Sequence, residues 1–168
     1  DAATAAPGFG ERLELIRAIA EALAYAHSRN VYHRALSPWT IELHSDAQGR
    51  RRPVLRDWQS GIAGQDSTAD TRMTMHLGQQ AGVIDNPRSA IYASPEVVAG
   101  HGYDPVAIDI FSLGALTYAL FASRHPAASV EEMLDKCRRG PGLMMSEALD
   151  GAPDSLQVLV QAATDPNP

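Results

Sequence analysis

The chain has 168 residues, 45% of them hydrophobic and 20% charged, with a formal net charge of −6. That suits one compact domain with a real core, and the acidic balance, with no basic run longer than Arg50-Arg51-Arg52, argues against nucleic acid or an anionic membrane as the main partner. No apolar run approaches the roughly 18–20 residues of a membrane span and no signal peptide opens the chain, while the lone Cys137 excludes an internal disulfide framework and fits a reducing, cytoplasmic setting.

Residues 1–10 are small, rich in Ala, Gly and Pro, and read as a linker. Gly8-Phe9-Gly10 opens like a phosphate loop, but it follows no strand and lacks the third glycine, so it reads as a hinge before a helix. The spacing predicts that helix over Glu11 to Arg29. Leu13, Ile16, Ile19, Ala20, Leu23 and Ala24 recur at three and four residues and give one apolar face. Asn30 suits a left-handed stop after it. Ile41-Glu42-Leu43 and Pro53-Val54-Leu55-Arg56 read as two short strands around a polar turn holding Ser45, Asp46 and Gly49. From about Ser60 to Arg88 no period is visible, and an unstructured loop of that length inside a domain tends to be functional or disordered.

Pro105 to Phe121 is apolar nearly all round, the pattern of a buried central helix, with Asp109 set inside it. Ser129-Val130-Glu131-Glu132 is a capping box opening a helix to about Arg139. A last helix begins at Asp154 or Ser155 and ends before Asp165-Pro166. The order is helix, hairpin, long loop, buried helix and two more helices. That is mainly α with a small β element, and not the alternating pattern of a parallel nucleotide-binding sheet.

His33-Arg34-Ala35-Leu36-Ser37-Pro38 has the frame of His-Arg-Asp-Leu-Lys-Pro. Asp57-Trp58-Gln59 follows the second strand at the place of Asp-Phe-Gly. Ser89-Ala90-Ile91-Tyr92-Ala93-Ser94-Pro95-Glu96 ends like a segment closed by Ala-Pro-Glu. Asp109-Ile110-Phe111-Ser112-Leu113-Gly114 matches Asp-x-Trp-Ser-Leu-Gly, and Asp165-Pro166 matches the start of Asp-Pro-x-x-Arg. In this order the motifs resemble the C-terminal lobe of the eukaryotic-type protein kinase family, in its bacterial Ser/Thr form, over nearly the whole of 1–168. The resemblance implies a helical lobe with a small β-hairpin and a long activation-segment loop. It also implies an N-terminal lobe, with its glycine-rich loop and ATP-pairing lysine, that this chain does not contain. Lys136, the only lysine against thirteen arginines, lies far downstream and is no substitute. The arginine of Asp-Pro-x-x-Arg, which pairs in the family with the glutamate matching Glu96, falls one residue past Pro168. The chain therefore reads as a piece of a longer protein, with the N-terminal lobe, further domains and a protein partner as its expected neighbours. The loop also loosely resembles those of large bacterial kinase-like proteins, including some of phage defence.

Against that pattern the departures decide the expected function. Phosphoryl transfer needs a proton acceptor, metal ligands and phosphate-binding cations. Ala35 stands where the family has the accepting carboxylate, Ser37 where it has a lysine, Thr40 where it has a metal-binding asparagine, and Gln59 where it has a glycine. Asp57 remains as the one strong hard-oxygen ligand for Mg²⁺, with the Thr40 hydroxyl a weak second. Loss of a general base alone costs about 10²–10⁴-fold, so from typical turnovers of about 1–100 per second a rate of about 10⁻⁴ to 1 per second would remain. The added loss of positioning and charge favours a pseudokinase with a regulatory or scaffolding role, able to take Mg-ATP only together with the missing lobe. Two other readings stay open. One is an active, atypical Ser/Thr kinase in which Asp46, Asp66 or Asp70 replaces Ala35. The other is a nucleotide-independent interaction module. His33 reads as a packing and hydrogen-bonding residue, and Arg34 as a salt-bridge residue or a partner for a phosphorylated Ser67, Thr68, Thr71, Thr74 or Ser89. Asp109 reads as a structural acceptor for loop N–H groups, because a buried carboxylate is too costly without such partners. Trp39 reads as core or groove lining.

Overall fold

The computed structural model describes residues 6–58, 88–99 and 104–166. Gln59, the stretch predicted to form the long loop and its candidate phosphoacceptors Ser67, Thr68, Thr71 and Thr74 lie outside them, as do Asp66 and Asp70. The described residues are mostly helical around a two-stranded antiparallel sheet. In chain order they form α1 (Phe9–His27), a 3-10 turn at Pro38–Thr40, β1 (Ile41–Ser45), β2 (Arg51–Leu55), a 3-10 turn at Ser89–Tyr92, α2 (Pro95–Ala99), α3 (Pro105–Ala122), α4 (Val130–Arg139), a 3-10 turn at Met145–Glu147 and α5 (Asp154–Ala163).

Helix α1 starts earlier than its apolar spacing predicts, because Phe9 and Gly10 already belong to it and Gly8 is its N-cap. Gly8-Phe9-Gly10 is thus a helix start rather than a hinge. Its buried stripe is Leu15, Ile16, Ile19, Leu23 and Ala26. Leu13 and Ala24, expected on the apolar face, are exposed. The stripe turns toward α3, and Phe9 reaches it at the helix start, its ring 5.0 Å edge-on from Phe121. Arg12 locks the same junction by donating to the Leu120 and Phe121 carbonyls (2.9 and 3.1 Å). These are unpaired acceptors at the end of α3, where a cation is favourable. The chain leaves α1 through Asn30 in the left-handed region (φ 56°).

The hairpin pairs Ile41 with Leu55 and Ser45 with Arg51. Asp46 closes its turn by accepting from the Gln48 and Arg50 backbone N–H groups (both 2.9 Å) and pairing with Arg50 and Arg52. Pro53 sits inside β2 without penalty because both strands of a two-stranded sheet are edges. Arg51 ties the hairpin to Glu11 of α1 at 3.3 Å.

Helix α3 is the centre of the fold. By length and composition it is apolar enough to cross a membrane, contrary to the expectation from the sequence. Its burial by α1 and α5, and the fully buried Asp109 within it, are those of a core helix. Gly114 permits the α5 contact: a Cβ there would meet Ala163 Cβ at 2.7 Å and Thr164 Cγ2 at 2.8 Å. Helix α4 has its cap at Ser129, whose Oγ accepts from Glu132 N (3.1 Å), while Glu132 reaches back to Ala128 N (2.8 Å). The short α2 and the three 3-10 turns carry no period and escape a reading by spacing.

Candidate functional site

The loop 33–40 joins α1 to the hairpin, and buried groups hold it from two sides. On one side is the Asp109 carboxylate, 0% exposed. It accepts from His33 N (2.8 Å) and Arg34 N (2.6 Å), and lies 2.8 Å from His27 Nε2. Two backbone donors and an imidazole thus surround a charge that could not be buried alone. Accepting both amides demands a sharp turn, and Arg34 sits in the left-handed region (φ 64°).

On the other side is the end of β2. His33 is fully buried, and its Nε2 lies 2.9 Å from the Arg56 carbonyl oxygen. Its Nδ1 faces Ala35 N at 3.4 Å. The neutral Nε2–H tautomer satisfies both contacts, donating to Arg56 O and accepting from Ala35 N–H. Burial is the main cause that holds the His33 pKa below its ordinary value, against the opposing pull of Asp109. Trp58 packs over it with ring centres 4.8 Å apart and donates its Nε1–H to Leu55 O (3.1 Å).

Farther along the loop, Ser37 is fully buried. Ser37 N donates to Thr40 Oγ1 (3.0 Å), and the same hydroxyl donates to Ser37 O (3.0 Å). The Thr40 hydroxyl is therefore shared within its own turn. Ser37 Oγ lies 3.4 Å from Ser89 Oγ, which joins the loop to the turn before α2. Ala35 is half-buried and carries only a methyl group. Asp57 is exposed and left-handed (φ 61°), directly after Arg56. Among the described residues no three or more His, Cys, Asp or Glu side chains gather as a metal cluster. Asp46, one candidate replacement for the missing carboxylate, is taken up by the hairpin turn.

Of the two places left open for Trp39, core or groove lining, the structure excludes the core: it is 41% exposed. Its ring stacks on His125 (5.8 Å, 23°) and meets Tyr92 edge-on at 6.0 Å. The Tyr92 hydroxyl is 2.7 Å from His125 Nδ1, and burial pushes its pKa up to about 12. Glu96, on α2, lines a cavity of about 270 Å³ with Ser94, Asp104, Phe111 and Asp165. The Ser94 hydroxyl is buried there without a hydrogen-bond partner among the described residues. Cys137 is buried and its thiol is pushed up to about 11, chiefly by desolvation and then by Glu96, so it is no nucleophile near neutral pH. Spacing gave no sign of the part Arg56 plays. Its N–H donates to Thr40 O (2.8 Å), its carbonyl takes His33, and its guanidinium pairs with Glu42 at 2.6 Å.

Comparison with known proteins agrees with this architecture. Residues 10–157 match the model of the protein kinase domain. A probable kinase, PglW of Streptomyces coelicolor, is 34% identical over 91% of this chain and 11% of its own length. The serine/threonine-protein kinase PknJ of Mycobacterium tuberculosis is 36% identical over 68% of this chain and 18% of its own. A probable serine/threonine-protein kinase of Dictyostelium discoideum is 33% identical over 78% of this chain and 14% of its own. The chain thus spans less than a fifth of the length of these relatives. With the matched domain covering most of its residues, and the loop, hairpin and buried carboxylate arranged as described, this chain belongs to the protein kinase family.

Proposed function

We propose that this chain is a protein-kinase-like domain whose phosphoryl transfer is impaired and whose role is regulatory or scaffolding. The observation that carries this reading is Ala35. The loop around it keeps a fixed shape through Asp109 and His33, yet the side chain at that place cannot accept a proton. Ser37, buried and neutral, supplies no phosphate-binding cation. Positioning and electrostatics provide most phosphoryl-transfer catalysis, so both losses bear on the rate.

Magnesium nucleotide fits the remaining residues in part. Mg²⁺ is commonly held by one or two carboxylates plus substrate phosphates, and the exposed Asp57 carboxylate offers one such ligand. The Thr40 hydroxyl, engaged on both sides within its turn, is a weaker one. When bound, the nucleotide would supply a transferable phosphoryl group. The residues of this chain would orient its metal and shape the floor below it. On this reading the rest of the nucleotide contacts come from an N-terminal lobe of the same protein, and the output passes to its further domains or a protein partner.

The test is γ-phosphate transfer by the complete polypeptide, wild type against Ala35→Asp. The proposal expects transfer far below the roughly 1–100 per second of ordinary kinases, rising on Ala35→Asp toward the roughly 10²–10⁴-fold that a general base contributes. A wild-type rate in the ordinary range, lost in Asp57→Ala, would refute it.

A further inference from the structure

Three segments meet at Trp39: the loop 33–40, the turn 88–92 and the stretch that follows α3. The backbone of Trp39 is fixed. Ser37 N donates to Thr40 Oγ1 at 3.0 Å, Thr40 N donates to Ser37 O at 3.1 Å, and Thr40 O accepts from Arg56 N at 2.8 Å. Its indole is braced as well, stacked on His125 and edge-on to the buried Tyr92, whose hydroxyl lies 2.7 Å from His125 Nδ1. Yet 41% of Trp39 stays open, and Pro38 beside it is exposed too. Braced, half-open aromatic rings are typical anchors of protein interfaces. The charge around this one is opposite to that of the chain. The net charge is −6, but residues 33–40, 88–94 and 123–130 hold Arg34, Arg88 and Arg124 and no Asp or Glu. Arg124 is exposed and gives Nη2 to Glu147 O at 2.9 Å, a backbone acceptor without net charge. Glu132, the carboxylate that feels Arg124, is already occupied by Ala128 N at 2.8 Å and Lys136 at 3.3 Å.

We infer that Trp39 and its basic surround form a docking surface for an acidic, aromatic-bearing peptide segment of a partner protein. The inference rests on the reading above that the output of this domain passes to a protein partner. An aromatic side chain of the segment packs on the open part of the indole, offset or edge-on as aromatic pairs prefer. Carboxylates beside it meet Arg124 directly. Arg34 and Arg88, which have partners of their own within the fold, add to the field. That field steers approach and selects the sign of the partner's charge, so a lysine- or arginine-rich segment is repelled. The net charge of −6 favours a short segment over a long polyanion, whose phosphates would run from this basic patch onto acidic surface. Because the loop and the ring are ordered beforehand, little of this surface must be ordered on binding.

The experiment is fluorescence anisotropy of the complete polypeptide with a labelled peptide of Glu and Asp around one Phe. The peptide has no Ser, Thr or Tyr and no nucleotide is added, so binding cannot be substrate turnover. A matched probe has Lys in place of every acid. The acidic peptide is expected to bind at least about tenfold more tightly than the basic one, a difference of about 1.4 kcal/mol, and to weaken as salt rises. Trp39→Ala should weaken it at least about tenfold while the circular-dichroism spectrum keeps its wild-type form. Arg124→Gln should weaken it too and flatten the salt dependence. Arg52→Gln, an equal change of charge on the hairpin whose partner is Asp46, should change nothing. Val158→Ala, which trims a 63% exposed apolar side chain on α5, should also change nothing. Acidic-peptide binding that survives Trp39→Ala, is matched by the basic probe, or falls equally in Arg52→Gln overturns the inference. Absence of wild-type binding to the acidic peptide overturns it as well. So does tighter binding of a labelled thymidine oligonucleotide, which would make the partner a nucleic acid. None of these outcomes touches the phosphoryl-transfer reading, which stands or falls on the rates of wild type and Ala35→Asp.

Discussion

Removing the carboxylate of Asp109 is the sharpest perturbation of this fold. Asp109→Ala leaves the His33 and Arg34 N–H groups facing a site that is 0% exposed, with no acceptor and no access to water. Each buried orphan donor costs about 1–3 kcal/mol, so the two together cost about 2–6 kcal/mol. That is a large share of the roughly 5–15 kcal/mol that holds a domain folded. At this chain length each kcal/mol moves Tm by about 2–4 °C, giving a fall of about 4–24 °C. Asp109→Asn retains one carbonyl oxygen and should fall between wild type and Ala. Urea unfolding with an unchanged m value measures both variants. A loss under about 1 kcal/mol for Asp109→Ala, or Asn worse than Ala, would refute the view that this carboxylate is held by, and holds, the loop amides.

Other consequences are equally direct. His33 is protonated less readily folded than unfolded, because burial lowers its pKa from the ordinary 6.5. Its contribution is therefore flat above pH about 6.5 and falls as the pH drops from there toward the folded value, since only the unfolded ring takes up the proton. Wild type and His33→Gln compared between pH 7.5 and 5 should differ in slope, the variant being flatter; parallel curves would contradict this. Gly114→Ala forces a Cβ into Ala163 and Thr164, and overpacking of that kind costs about 1–3 kcal/mol by chemical denaturation. Gly142→Ala should be worse, since φ is +112° and its Cβ would lie 2.6 Å from a backbone oxygen of Gln161. Cys137, buried with a raised pKa, should resist thiol reagents at pH 7–8 in the folded protein and react on unfolding; rapid native labelling would place it at the surface.

The helices were legible where burial and period coincide. Helix α3, apolar nearly all round, is packed by both α1 and α5, α5 turns one apolar face to α3, and a side-chain cap at Asp104 marks the start of α3. The reading slipped on α1, where Leu13 fits the spacing but Leu15 takes the core, because α1 meets α3 across only part of its circumference. For Trp39 the sequence left core and groove lining both open. What decides between them is its stacking partner His125, a surface residue whose position depends on how α3 ends at the left-handed Ser123. The loop motif located His33, Ala35, Ser37 and Asp57 in the chain. It could not indicate Arg56, whose place is fixed by a backbone carbonyl and amide bonded to residues 23 and 16 positions away. Backbone partners leave no trace in side-chain pattern.

The two clamps on the 33–40 loop have an evolutionary consequence. Asp109 grips main-chain amides, and His33 grips a main-chain carbonyl. Neither depends on the side chains at 35 or 37. The side chain at 35, half-buried, can therefore change while both clamps persist, whereas any replacement of Ser37 must also fit a fully buried site beside Ser89. Shape and chemistry are thus inherited through different atoms. A domain of this kind can lose one activity and acquire another duty without passing through an unfolded ancestor.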